Sequence, residues 1–471
     1  MDQLGIQMAQ SRSDRIARLL GNWQAEAATP AEALRLSLAA LIEGARLPAG
    51  QKMPGQRELA DALGIARGTV SSTYGSLISS GHLTARQGSG TYVRALKTIG
   101  QGGDGRLTSF DEHSPRIVAD LSSGALPGTE FLSRIMPEMS RQLHEHYLDE
   151  AGYYPAGLPA LRAEIAALVT EQGLATSSEN ILITAGSQQA VWLIATALTE
   201  PGSLVVVEDP TYRGALEAFA GTGAHTRGVP FGPSGIDIGL LASAAKAADL
   251  VYLQPALHNP TGIHTSSVRR AQVARIFDDS RALVVDDQSS ADLAWTRSQR
   301  LHGLERHMDP ARLLVVGTFS KLFWGGIRVG WIRGPKAIIS RLTDLRRGID
   351  LSNSVLDQMA ALLLLPSMEA QRDARREHLS AQFRTMSTTL SALLPNWSWW
   401  LPAGGSGLWV DTGEDAISLS QRALARGIRL TPGPSFSPHA GHRSFLRLPV
   451  WHDEGQFAEA MAVIAELTEE V

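Results

Sequence analysis

Beyond residue 119 one pattern repeats and leaves few folds open: a short, continuous apolar run, a loop of small and polar residues, then a run with helical period. The apolar runs are 181–184, 204–208, 250–254, 283–285 and 313–316, with helical stretches such as 158–172 and 187–199 between them. Alternation of such strands with helices predicts a sheet, mostly parallel, with crossover helices: an α/β body. In these sheets ligands bind beyond the carboxyl ends of the strands. The polar clusters of this chain fall at those ends.

After the first run, Thr184-Ala-Gly-Ser-Gln-Gln-Ala opens a helix, and free N–H groups beside hydroxyl and amide side chains suit a phosphate. Asp209-Pro-Thr-Tyr-Arg follows the second, where Tyr212 is suited to stacking on a flat ring. In His258-Asn-Pro-Thr-Gly, Asn259 suits a ring oxygen. Val284-Val-Asp-Asp offers a carboxylate for a pyridine nitrogen. The last run leads into Lys321, with Thr318, Ser320 and Arg328 around it as phosphate partners. An amine held among apolar residues is desolvated, which favours its neutral, nucleophilic form and Schiff-base chemistry. The other lysines, at 52, 97, 246 and 336, lack this setting. Taken singly these loops have plainer readings: a snorkelling surface lysine, a turn, a helix cap. In this order they suggest pyridoxal phosphate (PLP).

The first 97 residues differ from the body. They carry eleven Lys/Arg against seven Asp/Glu, or +4, in a chain of net charge −4, which leaves −8 elsewhere. A basic head on an acidic body suits a polyanion partner. Helical periods are expected over 13–25, as an extra N-terminal helix, and over 30–45. A leucine pair at 59 and 63, a break at Gly64 and a new apolar phase through Ile65, Val70, Tyr74 and Leu77 predict a helix-turn-helix, with a second helix over 67–80. Its early polar residues, Arg67, Thr69, Ser71 and Ser72, would meet DNA. Residues 83–93 predict a hairpin wing with Arg86 and Gln87 near phosphates. Residues 97–118, glycine-rich and aperiodic, predict a flexible linker. There are no cysteines, so disulfides and thiolate metal sites are excluded, and no metal site is expected. No signal pattern or membrane-spanning run is present, and a cytoplasmic protein is expected.

The ordered set Leu-Pro-x-Gly, Pro-x-x-Arg-Glu-Leu-Ala, Leu-Gly-Ile-x-Arg-x-Thr-Val, Tyr-x-x-Leu and Gly-Ser-Gly-Thr-Tyr-Val, over about 30–94, resembles the winged helix-turn-helix of the GntR superfamily. That resemblance implies DNA contacts by Arg57, Arg67 and Thr69. From 119 onward the chain resembles the fold-type I aminotransferases, with a mixed, mostly parallel sheet. The fusion resembles the MocR family of PLP-dependent transcriptional regulators. Domains at 1–96 and 119–471 around the 97–118 linker follow. The resemblance implies an internal aldimine at Lys321, Asp287 on the ring nitrogen, Asn259 on the ring hydroxyl and Tyr212 on the ring face. It gives Ser187, Gln188, Thr318 and Arg328 to the phosphate and Arg447 to an effector carboxylate. It also implies a homodimer in which Tyr153 reaches over from the partner subunit. The acid loop departs from the family's Glu-Asp-Asp-Tyr, reading Asp286-Asp287-Gln288-Ser289. Ser289 is too short to replace the tyrosine that helps Asn259, and both Asp286 and Asp287 stand near the ring-nitrogen position, Asp287 by the ungapped alignment. The function implied is a regulator that binds paired DNA half-sites and senses an amino acid, amine or vitamin B6 form by aldimine exchange at Lys321. The alternative is a working aminotransferase with an accessory head.

Overall fold

The computed structural model describes residues 13–21, 23, 29–43, 46–47, 51–79, 82–86, 90–93, 117–295, 300–450 and 453–469. Chain contacts divide it into two units, Met1–Gly102 and Gly103–Val471.

In the first unit a helix over 13–20 (α1) ends at Gly21, whose φ is +54°. Then come α2 (Pro30–Glu43), α3 (Gln56–Leu63), α4 (Arg67–Ser79) and the antiparallel pair β1 (Leu83–Arg86) and β2 (Gly90–Val93). The expected helix ends at 22, 24–25, 44–45 and 80, the wing turn with Gln87, and linker residues 97–116 lie outside the described residues. Ile16, Leu34, Leu38, Leu59, Val70, Tyr74 and Leu77 form one core. The α3–α4 turn works because Gly64 adopts φ +65°, a left-handed conformation that costs a residue without a Cβ little. Two hydrogen bonds fix α4 from its buried side: Thr73 Oγ1 to Ala31 O (3.1 Å) and Tyr74 OH to Pro54 O (3.0 Å).

The second unit begins with β3 (Ala119–Asp120), and Val118, at the end of the expected linker, already donates to Gly427 O (2.8 Å). Its central sheet comprises β4 (Ile181–Thr184), β5 (Leu204–Asp209), β6 (His225–Gly232), β7 (Gly235–Ile236), β8 (Leu250–Leu253), β9 (Leu283–Asp287), β10 (Leu313–Thr318) and β11 (Gly330–Arg333). The order is β4-β11-β10-β9-β8-β5-β6-β7. The block β10-β9-β8-β5-β6 is parallel, while β11 and β7 run antiparallel to their neighbours. This is the mixed, mostly parallel sheet expected, with three strands, β6, β7 and β11, that the apolar runs did not reveal. β11 is only four residues long, and β6 carries Gly and Pro on a half-exposed strand.

Helices α5 (Glu130–His146), α6 (Pro159–Glu171), α7 (Gly186–Leu198), α8 (Arg213–Gly221), α9 (Ile238–Ala245), α10 (Ser267–Ile276), α11 (Lys336–Arg347) and α12 (Val355–Leu364) surround the sheet. Because successive strand residues face opposite sides, Val284 and Val315 join a core with α6, α9, α10 and α12. Val285, Leu314 and Val316 join another with α7, α8 and α11. A third core gathers α13 (Met368–Leu393), the sheet β12 (Ser398–Trp399), β13 (Gly407–Asp411), β15 (Thr431–Pro432) and β16 (Phe445–Pro449), β14 (Ile428–Arg429), α14 (Ala416–Ala425) and α15 (Glu454–Glu469). β3 pairs with β14, so the start of this unit is stitched to its C-terminal lobe. α13 joins the lobes: Met368 packs in the first core, Leu379, Met386 and Leu390 in the third.

Candidate functional site

Lys321 follows the end of β10 and is half-buried, its Nζ donating to Gly124 O (3.1 Å). The same carbonyl accepts from Ser406 Oγ (2.8 Å). Ser406 in turn accepts from Arg447 Nη2 at both its carbonyl and its hydroxyl, each at 3.3 Å. Arg447 lies on β16 between core residues Leu446 and Leu448, so its side chain faces away from that core. It is 7% exposed. Its guanidinium fits between glycines: a Cβ at Gly124 would lie 1.6 Å from Nη2, and one at Gly407 2.5 Å from Nε. Burial pushes Arg447 down to about 10, and no carboxylate among the described residues pairs with it.

Position in the strand separates the two candidate acids. Asp287 shares the face of Val285, the face that α7 covers. It is 4% exposed; Tyr252 OH donates to its Oδ2, and Ser289 N (2.9 Å) and Ser289 Oγ donate to its Oδ1. Asp286 faces the other core, where Leu304 N (2.6 Å) and Gln288 Nε2 (2.8 Å) donate to its Oδ2. Burial, and then the charge of Glu305, push Asp286 up to about 7. Glu305 is held down at about 2, because the His302 hydrogen bond and Arg300 outweigh its own burial. Asp286 is therefore sealed away from the α7 side. Ser289, expected to fall short of the ring hydroxyl, instead turns its hydroxyl back onto Asp287.

The α7 end gathers the remaining loops. The helix start carries no side-chain cap, and Gly186 has φ +78°. Arg328, itself left-handed at φ +49°, donates from Nη2 to Ala185 O (2.6 Å), just before that start. Tyr212 OH donates to Gln188 Oε1 (2.9 Å), and Gln188 Nε2 to Gly214 O (3.0 Å). Ser187 occupies the first turn of α7. Thr318 Oγ1 donates to Val329 O (3.0 Å) and accepts from Ser320 N (3.1 Å), so this hydroxyl is already engaged in shaping the lysine loop. Ser320 Oγ, by contrast, is buried without a partner among the described residues. The Asn259 backbone N–H donates to Gln254 Oε1 (3.0 Å), while its carboxamide has no hydrogen bond among the described residues. Tyr153 is 66% exposed.

An uncapped helix start, an orphaned buried hydroxyl beside a lysine, and an idle carboxamide suit a phosphorylated ring bearing an aldehyde. They fit PLP. Gly124, Ser406, Tyr252 and Gln254 were not singled out from sequence; only the glycine cluster 402–407 hinted that backbone must approach closely there.

In the first unit, Arg57, Arg67, Ser71 and Ser72 are exposed, Thr69 is half-buried, and Val70, Thr73, Tyr74 and Leu77 are buried. α4 thus presents its polar early residues outward. Arg86 closes β1; its side chain is outside the described set.

The fold and site define a PLP-binding, aminotransferase-like body carried on the same chain as a winged helix-turn-helix of the DNA-binding kind. Residues 116–464 match the family model for aminotransferase class I and II, and residues 30–93 match that for bacterial regulatory proteins of the gntR family. The chain belongs to the aminotransferase class I and II family, in the MocR-type arrangement with a GntR DNA-binding head. It is similar to the uncharacterized HTH-type transcriptional regulator YisV of Bacillus subtilis, 29% identical over 423 residues, covering 82% of this chain and 84% of YisV. Among solved structures it is similar to kynurenine aminotransferase of Pyrococcus horikoshii in complex with PMP, with TM-score 0.69 and 27% identity over 76% of this chain and 91% of that one. It is also similar to the α-aminoadipate aminotransferase LysN of Thermus thermophilus, complexed with N-(5'-phosphopyridoxyl)-L-leucine, with TM-score 0.67 and 26% identity over 75% and 96% of the two chains. No helix among the described residues is long and apolar enough to cross a membrane.

Proposed function

We propose that this protein is a PLP-dependent transcriptional regulator that senses an amino compound bearing a carboxylate and converts its binding into a change of affinity for operator DNA. When bound, PLP supplies an aldehyde carbon that condenses with amines and a ring that withdraws electrons. Lys321 would be the amine that holds it and the group an effector's amine would replace. Asp287 would face the ring nitrogen, Asn259 the ring hydroxyl, and Tyr212 the ring face. Ser187, Gln188, Ser320 and Arg328 hold the phosphate, with Thr318 ordering their loop. Arg447 takes the effector's carboxylate as a bidentate pair. Arg57, Arg67, Thr69, Ser71 and Arg86 meet DNA.

The observation that carries this reading is Arg447. A buried guanidinium without an acid partner is costly, and it is linked through Ser406 and the Gly124 carbonyl to Lys321. An amino acid satisfies both ends at once. The DNA-reading head on the same chain gives that event an output. Gel shifts of the chain's own upstream region, with apo-protein, PLP-loaded protein and loaded protein plus candidate amino acids, test it. Binding that changes with the amino acid supports regulation; no binding in any state refutes it.

A second reading, a working aminotransferase, is favoured by the likeness to two solved aminotransferases. Turnover of an amino acid with a keto acid would support it. We further propose a homodimer acting in the cytoplasm. Tyr153, Leu148 and Met136 are exposed, and no residue of α5 is fully buried in one chain, its Phe131, Leu132 and Ile135 only leaning on the first core. Sedimentation equilibrium should give twice the chain mass.

A further inference from the structure

The donors around Asp287 belong to a hydrogen-bond chain whose direction is fixed at both ends by backbone N–H groups. A backbone N–H only donates. At one end the Asn259 N–H donates to Gln254 Oε1 (3.0 Å), which sets that carboxamide's orientation. Gln254 Nε2 therefore points at Tyr252 OH, over a long 3.4 Å contact. With its acceptor side so occupied, Tyr252 directs its own proton at Asp287 Oδ2. At the other end the Ser289 N–H donates to Asp287 Oδ1 (2.9 Å), and the Ser289 hydroxyl donates to the same oxygen. Tyr252 is wholly buried and Gln254 is 3% exposed, so water does not compete for these contacts. The Gln254 N–H is itself held by the buried Glu208 Oε2 (2.8 Å). Every neighbour that bonds an Asp287 oxygen among the described residues is a donor. A carboxylate accepts from all of them, whereas a carboxylic acid would turn its own proton against Tyr252 or force the Ser289 hydroxyl to reverse.

We propose that Tyr252, Gln254 and Ser289 are positioning residues that commit Asp287 to accepting, so that the proton it shares with the ring nitrogen of PLP stays on the ring. The same chain ties Asn259, at the ring hydroxyl, to Asp287, at the ring nitrogen, so the two polar edges of the ring are set by one directed network. Ser289 takes part in place of the longer side chain expected there. The proposal rests on the reading that PLP attaches at Lys321 with its ring nitrogen at Asp287.

Full-length protein loaded with PLP labelled with 15N in the ring tests it by NMR. Wild type should show the ring nitrogen in the protonated range. Tyr252→Phe and Ser289→Ala should each move the resonance toward the value of neutral pyridine, the double variant further than either. Ser289→Thr, which keeps the hydroxyl, should restore the wild-type position. Unchanged resonances in Tyr252→Phe and Ser289→Ala would overturn the relay, as would a neutral ring in the wild type or failure of both variants to take up PLP. If instead Lys321→Ala keeps the visible absorption of the wild type, the functional reading itself fails, whatever the ring nitrogen shows.

Discussion

At the scale of single residues, Arg447 and Asp286 each hold an ionisable group where burial opposes its charge, with different consequences. Arg447 is buried without an anion beside it among the described residues, so removing its charge should not harm the unliganded fold. Arg447→Met is expected to leave the apo thermal midpoint unchanged or higher, since replacing a buried unpaired charge by an apolar chain is often neutral or stabilising. It should weaken carboxylate-bearing effectors by about 2–4 kcal/mol while leaving amines without a carboxylate little affected. Thermal-shift titrations with matched pairs, an amino acid and its decarboxylated amine, check this; equal losses for both would contradict it. Asp286 predicts a pH dependence instead. Its folded value, about 7, lies above the ordinary 3.8. The folded state then binds its proton more tightly than the unfolded chain. The stability this contributes is full below about 3.8 and is lost as pH rises to about 7. Glu305, held at about 2 against an ordinary 4.5, works in the opposite sense: its contribution is full above about 4.5 and is lost as pH falls to about 2. Asp286→Asn should therefore flatten the decline of stability between about pH 4 and 7, read from urea midpoints across that range.

At the scale of elements, α13 does more than connect lobes. Arg375 on this helix donates to Leu322 O (2.9 Å), Phe323 O (2.9 Å) and Pro127 O (2.6 Å). Gln371, one turn earlier, also donates to Leu322 O (3.1 Å). The guanidinium is buried, pushed down to about 10 by desolvation, and holds the two residues after Lys321 together with the strap that carries Gly124. Arg375→Met should cost about 2–4 kcal/mol, because it strands buried carbonyls. It should also raise hydrogen exchange in the 320–330 loop more than in β10, and Arg375→Lys should lose less. Neither Arg375 nor Gly124 was legible in the sequence, because their contacts join residues far apart along the chain, such as Arg375 with Leu322 and Gly124 with Ser406. The strands β4, β5, β8, β9 and β10 were legible because burial on both faces writes itself as a continuous apolar run, whereas the half-exposed β6 carries no such run. The lobe sheet β12-β13-β16-β15 was not, since strands such as β12 and β15 are two residues long and alternate with Gly, Pro and Trp. The site loops were readable because each follows a strand end. The relay through Tyr252 was hidden inside an apolar run, where a tyrosine reads as core.

At the scale of the whole molecule, the central question is whether the body's chemistry is coupled to the head's DNA contacts or merely shares a chain with them. Separate variants test each half: Arg67→Ala should weaken DNA binding and make it less steeply salt-dependent by removing about one phosphate or base contact, with the PLP spectrum unchanged. Coupling is a stronger claim and has its own signature. If an effector changes operator affinity by some factor at equilibrium, operator DNA must change effector affinity by the same factor. Typical coupling of about 1–3 kcal/mol corresponds to roughly 5–150-fold, well within reach of titration. Effector titrations followed by PLP absorbance, with and without operator, should give that factor, and gel shifts with and without effector should return it. Arg67→Ala should erase the DNA-induced change while sparing the effector's intrinsic affinity. Reciprocity holds only for reversible binding. A regulator that exchanges Lys321 for the effector and stops there obeys it; an enzyme that consumes the amino acid does not, because its absorbance drifts with turnover and the two factors part. Equal factors would establish sensing as the body's role, and unequal factors with accumulating keto acid would hand it to transamination.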